Sequence, residues 1–151
     1  MTTTDVSIII VNWSTKDLLK DCLQSIYMNT KSICFEVIVV DNNSTDGSVN
    51  LIEREFKKTI LIKNKRNLGF AKANNQAFRR SISPYFLLLN SDTIVYPGAI
   101  ELLLRFLLKF PQNDGHTEKL EIKKEGLGGV PCKTRKTGER LIRNLRRKQP
   151  A

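Results

Sequence analysis

The sequence predicts an α/β fold with a mostly parallel sheet and helices on both faces, three layers in all. Two observations carry this expectation. Strand-like and helix-like segments alternate four times along the chain. The strand-like runs are also continuously apolar and rich in β-branched residues, the pattern of strands buried on both faces. A length of 151 residues is enough for one compact domain and marginal for two.

The elements follow in order. Residues 6 to 11, VSIIIV, read as a buried strand. The next segment, STKDLLKDCLQSIY, places Leu18, Leu19, Cys22, Leu23, Ile26 and Tyr27 at helical spacing, and Ser14 three residues before Asp17 predicts a capping box. FEVIVV (35 to 40) is a second strand, ended by the turn-rich DNNSTDGS. A short helix then fits Val49, Ile52 and Phe56, with Asp46 in or near its first turn. TILIK (59 to 63) is a third strand. NLGFAKANNQAFRRS reads as a loop entering a helix that carries Ala73, Ala77 and Phe78, and YFLLL (85 to 89) is the fourth strand. The last helix, GAIELLLRFLLKF, is apolar nearly all round. Its polar residues Glu101, Arg105 and Lys109 fall at i, i+4 and i+8, one narrow stripe, so cover is expected on most of its surface.

Composition narrows the class. A hydrophobic fraction of 40% and a charged fraction of 26% are ordinary for a globular protein. The formal charge of +10 is not, and it is unevenly placed: residues 1–111 hold 14 Lys/Arg against 10 Asp/Glu, residues 112–151 hold 11 against 5. The excess belongs mostly to the tail and says little about the main domain's ligand. Cys22, Cys34 and Cys132 have no metal-ligand spacing and read as small apolar side chains in a reducing compartment. The start lacks a secretory signal, and Glu101, Arg105 and Lys109 interrupt the longest apolar stretch, so a cytoplasmic protein is expected. After Phe110-Pro111 the strand–helix rhythm stops. The tail segment KTRKTGERLIRNLRRK offers only Leu141, Ile142 and Leu145 as an apolar face, thin for a membrane anchor. No aromatic residue is interleaved for base stacking, so no nucleic acid is expected as a partner. His116 has no companion and is assigned no role.

In open parallel sheets, ligands bind at the carboxyl ends of the strands. Asn12-Trp13 follows the first strand, Asp41-Asn42-Asn43 the second and Asn90-Ser91-Asp92 the fourth. Three strand ends therefore carry polar side chains suited to a ligand or a metal. The first strand is not followed by G-x-G-x-x-G, and no G-x-x-x-x-G-K-[ST] occurs, which sets aside two glycine-rich phosphate cradles. A bound diphosphate would need neutralising by other means, and a divalent cation on Asp92 is the candidate.

Four stretches, VSIIIVNWSTKDLLKDCLQSI, FEVIVVDNNSTDGSV, NLGFAKANNQAF and YFLLLNSDTIVYPGAI, resemble the nucleotide-binding half of family-2 glycosyltransferases, with the strongest similarity to the bacterial rhamnosyltransferase-like branch that builds surface polysaccharides. The resemblance covers residues 6 to about 111. It implies a GT-A (Rossmann-like) fold, a nucleotide-diphosphate sugar donor, inverting transfer to a hydroxyl of a glycan or lipid-linked acceptor, and Mg²⁺ or Mn²⁺ as cofactor. Peripheral association with the inner face of the cytoplasmic membrane is compatible with it. Carried over by position, Asn12 and Trp13 lie beside the nucleotide, Asp41 accepts from the base, and Asp46 belongs to the same loop. Gly69, Phe70 and Asn74 shape the wall beside the nucleoside and diphosphate, with Lys72 nearby. Asn90 and Asp92 occupy the D-x-D-type metal motif, Asp92 as the direct ligand. The first acidic position is Asn here, which removes one charge from the cation site.

In the family the general base lies beyond that motif, in an acceptor-binding half that residues 112–151 do not match. The sequence therefore sets out a partial donor-binding domain at 1–111 and a basic, poorly structured tail at 112–151. It leads to the expectation of a truncated chain that binds donor with little or no transfer. The competing reading is a non-catalytic α/β scaffold whose basic tail binds an acidic partner.

Overall fold

Eight elements alternate along residues 4–109, the part of the chain that the computed structural model describes. They are β1 (Val6–Asn12), α1 (Lys16–Asn29), β2 (Phe35–Asp41), α2 (Ser48–Glu55), β3 (Ile60–Lys63), α3 (Phe70–Arg80), β4 (Tyr85–Asn90) and α4 (Ala99–Lys109). The expected basic tail at 112–151 lies outside the described residues. The four strands form one sheet in the order β3-β2-β1-β4, and every pairing is parallel. Such pairing requires a crossover between strands, and each crossover here carries a helix.

The central strands β1 and β2 bury both of their faces, as the sequence pattern requires, while the edge strand β3 is at most half-buried. On one face Ile8, Ile10, Val37, Val39, Leu87 and Leu89 pack under Leu19, Cys22, Leu23 and Ile26 of α1, Leu51 and Ile52 of α2, and Ile100 and Leu103 of α4. On the other, Ile9, Ile38 and Val40 meet Ala73 and Ala77 of α3, with Phe78 against Phe86 at 4.4 Å between ring centroids. The small alanines bring α3 close to the sheet. A fully buried Ile or Leu side chain contributes about 1.5–3 kcal/mol, so this two-sided core dominates the stability of the domain.

Three local expectations are corrected. The capping box at Ser14 and Asp17 does not form: Thr15 is the N-cap of α1, without a side-chain cap bond, and Ser14 has a left-handed φ of 54°. A tertiary partner, Asp46, takes over that helix end, as shown below. Leu18, placed on the apolar face of α1 by its spacing, is exposed. Glu101 leaves the polar stripe of α4. It is buried at 6% exposure, and its Oε1 accepts the backbone N–H groups of Lys31 (2.7 Å) and Ser32 (3.3 Å). Burial works against its charge, but these N–H groups outweigh it and lower its pKa. This carboxylate pins α4 to the α1–β2 connection. Cover over α4 is partial: Ile100, Leu103 and Leu104 are buried, while Leu102 and Leu108 are exposed.

Candidate functional site

Strand register decides which side chains meet at the carboxyl edge. Asn12 pairs with Asp41, Asp41 with Lys63, and Val11 with Asn90. The last residues of β1 and β2 and the turn after β4 are therefore brought side by side. Asn12 is fully buried there and acts as the hub. Its Nδ2 donates to Asp41 Oδ1 (2.8 Å) and to Ser44 Oγ (3.0 Å), and its Oδ1 accepts from the Thr15 hydroxyl at 2.7 Å. Thr15 Oγ1 also stands 2.8 Å from Ser91 Oγ, so the hydroxyl bridges to the turn after β4. Asp41, 1% exposed, takes the Ser44 N–H on its other oxygen at 2.9 Å. A buried carboxylate is tolerated where such donors satisfy it.

Asp46 holds two helices at once. Its Oδ2 accepts Lys16 N–H, the first amide of α1, at 2.8 Å, and its Oδ1 accepts the Ser48 N–H (3.0 Å) and hydroxyl (2.5 Å) at the start of α2. Burial opposes the charge, but the bonds from Ser48 and Lys16 prevail and its pKa is lowered. The structure thus gives Asp46 a capping function across the loop.

On the β3 side, Asn42 Oδ1 accepts from Asn64 Nδ2 at 2.9 Å, and Asn64 and Gln76 exchange two amide bonds, both of 2.9 Å. This ties the turn after β2 to the end of β3 and to α3. Gly69 precedes α3 with φ 79° and ψ 165°, a conformation open in practice to glycine alone. Asn74 is buried and donates to the Phe70 carbonyl (2.9 Å), inside its own helix. Trp13 and Phe70 are 62% and 55% exposed, two large aromatic faces open at this edge. Lys72, Asn90 and Asp92 are exposed as well.

Below the Asn90–Asp92 turn lies Cys22. Its thiol donates to the Asn90 carbonyl (3.7 Å), and its pKa is pushed up to about 12, by burial first, with Asp92's charge adding to the rise and the Thr93 N–H opposing it. Among the described residues no group of three or more His, Cys, Asp or Glu side chains could hold a metal. The turn offers one carboxylate, one amide and one hydroxyl. That donor set fits a divalent cation whose remaining ligands are phosphate oxygens and water, and does not make a protein cage of its own.

The edge therefore brings together Asn12, Asp41 and Asp46, leaves Trp13, Phe70, Lys72, Asn90 and Asp92 open, and turns Asn74 inward. Sequence reasoning did not single out Thr15, Ser44, Asn64, Gln76 or Ser91. Their positions one to three residues beyond strand ends, or nearly two turns into α3, were the available signal.

A parallel sheet with this polar carboxyl edge defines an α/β protein of GT-A-like architecture. The sequence profile described as "Glycosyl transferase family 2" matches residues 7–119, and the chain belongs to that family. It is 30% identical over 124 residues to an uncharacterized glycosyltransferase of Rickettsia felis, covering 82% of this chain and 20% of that protein. It is 29% identical over 131 residues to a poly(ribitol-phosphate) beta-glucosyltransferase of Bacillus spizizenii, again spanning 20% of the relative and 83% of this chain. The chain thus spans about a fifth of the length of these relatives. Among solved structures, TarS of S. aureus superposes with a TM-score of 0.67 at 21% identity, over 82% of this chain and 23% of that one. The mannosyltransferase PcManGT from Pyrobaculum calidifontis, solved with GDP-Man and Mn²⁺, gives 0.60 at 23% identity, over 70% of this chain and 32% of that one. At these identities the likeness is one of fold.

Proposed function

We propose that residues 6–111 form the donor-binding part of an inverting glycosyltransferase that takes a nucleotide-diphosphate sugar and serves cell-surface polysaccharide synthesis at the cytoplasmic side of the membrane. The observation that carries this reading is the hydrogen-bonded Asn12–Asp41 hub, set between two open aromatic faces and the exposed Asn90-Ser91-Asp92 turn. Trp13 and Phe70 offer planar apolar surface to a base or ribose. Asp41 shapes the pocket wall through Ser44 and Asn12, and Asp92 supplies the negative charge that faces a cation. Bound Mg²⁺ or Mn²⁺ would stabilise the charge that develops on the departing diphosphate. Solved neighbours in complex with UDP-GlcNAc and with GDP-Man and Mn²⁺ support this class of donor. A glycan or lipid-linked hydroxyl is the acceptor in this reading, and the chain is of the rhamnosyltransferase-like branch.

The test is thermal unfolding of the chain alone and with UDP-, dTDP- and GDP-sugars, with and without Mn²⁺. Ligand at about 100 times its dissociation constant stabilises by ~2.7 kcal/mol, several degrees for a domain of this size. A shift from one nucleotide that needs Mn²⁺ supports the reading and identifies the base. A cooperative melt that no donor moves rejects it in favour of a scaffold.

A further inference from the structure

Helix α1 begins without the cap its own sequence offers. A threonine at the N-cap ordinarily turns its hydroxyl onto an amide of the first turn, a bond of about 1 kcal/mol. Thr15 makes no such bond. Asp46 serves the Lys16 amide instead, and Ser14 adopts a left-handed conformation just before Thr15. A residue that forgoes its local role marks a tertiary or functional demand. Here the hydroxyl joins Asn12 Oδ1, at 2.7 Å, to Ser91 Oγ, at 2.8 Å, and so links the β1–β2 hub to the turn that carries Asp92.

Both Asp41 oxygens accept, from Asn12 Nδ2 and from Ser44 N–H, which orients the Asn12 amide and leaves its Oδ1, a pure acceptor, facing Thr15. Thr15 has one proton, and its hydroxyl is the donor toward both that oxygen and Ser91 Oγ. Ser91 Oγ accepts at this contact. The relay therefore ends with Ser91 Oγ held by Thr15, one residue before Asp92. Ser91 adds a neutral oxygen to a turn whose other polar side chains are an amide, Asn90, and one carboxylate.

We infer that Thr15 is a positioning residue for the cation side of the donor site. Through it the Asn12–Asp41 pair holds Ser91, and with it the Asn90–Asp92 turn, where a phosphate-bound divalent cation meets it. The inference rests on the donor-site reading above.

Calorimetric titration of the full chain with UDP and with GDP, each without metal and with saturating Mn²⁺, tests it. Wild type is expected to bind one of the two more tightly with Mn²⁺. Thr15→Val, close in size, should lower that Mn²⁺-dependent gain by about tenfold, the scale of a lost outer-shell partner, and leave metal-free binding within about twofold. Ser91→Ala should lose the same gain, the double variant should lose no more than either single one, and Thr15→Ser should restore it. Equal weakening with and without Mn²⁺, or losses that add in the double variant, would overturn the inference. Should Thr15→Val fail to fold, Ser91→Ala decides it: a full Mn²⁺ gain in that variant overturns it too. Wild-type binding that Mn²⁺ does not tighten has the same consequence. Wild type that binds neither nucleotide removes the donor-site reading itself, an outcome separate from normal wild-type binding with an unaffected Thr15→Val.

Discussion

The two ends of the sheet solve the same problem in opposite ways. At the amino end, Ser7 meets Glu36, Ser81 (2.7 Å) and Ser83 (2.7 Å), and Glu36 also accepts the Ile82 N–H at 2.9 Å. The three serines are buried, and their groups close on one another. At the carboxyl end, Asn12, Asp41, Ser44 and Thr15 are equally well satisfied, yet the network runs out through Ser91 to exposed residues. Buried polar groups need partners at either end. The amino-end network ends on the half-buried Glu36, whereas the carboxyl-end network leads to a turn that exposes an amide, Asn90, and a carboxylate, Asp92.

The largest effect should come from breaking the hub itself. Asp41→Ala leaves the Asn12 and Ser44 donors unanswered in a buried place, at a cost of about 3 kcal/mol in urea unfolding, and should abolish nucleotide binding as well. Asp92→Ala, at the open end, should separate the two properties. It is expected to weaken Mn²⁺-dependent nucleotide binding at least about tenfold, or 1.4 kcal/mol, while the urea midpoint stays within about 0.5 kcal/mol of wild type. Ser7→Ala gives the mirror image: a loss of about 1 kcal/mol in stability with nucleotide affinity unchanged. If Ser7→Ala altered affinity, or Asp92→Ala unfolded the chain, the distinction between the two ends would fail.

The smallest effect is a pH dependence. The folded-state pKa values of Asp46 and Glu101 lie below their ordinary carboxylate values. Folding therefore favours the ionised forms, and the stability they add is present above about pH 4–5 and is lost as the pH falls through the lowered values. Urea midpoints measured from pH 6 down to pH 3 should decline, and Asp46→Asn should flatten part of that decline. An unchanged slope in Asp46→Asn would show that the loop bonds to Lys16 and Ser48 do not favour the carboxylate.

Much of the fold was legible because its signals are local. Continuous apolar runs such as VSIIIV and FEVIVV mark strands buried twice, and all four occur in the sheet. The polar residues at their carboxyl ends pointed to Asn12, Asp41 and Asp92. Thr15 and Ser91 were not legible, because a threonine before a helix and a serine in a turn carry the same local signal whether they cap, turn or bridge. Their contact spans 76 positions of sequence. Glu101 misled for the same reason: its spacing with Arg105 and Lys109 describes a solvated stripe, and only the placement of Lys31 and Ser32 explains its burial. Ser14 and Asp17 have the spacing of a capping box, but Asp46, from 30 positions away, occupies the amide at that helix end.

Cys22 gives the Asn90–Asp92 turn a clock. Only a thiolate reacts readily with alkylating reagents, and with a pKa of about 12 the Cys22 thiol is ionised in roughly one molecule in ten thousand at pH 8. Cys34 is exposed. Labelling at Cys34 should therefore be prompt, and labelling at Cys22 should wait for the structure around Asn90 to lift away. The interval between the reactions at Cys34 and Cys22 counts how often the end of β4 opens. A ligand that clasps Asp92 should lengthen that interval in inverse proportion to the fraction of chains left unbound.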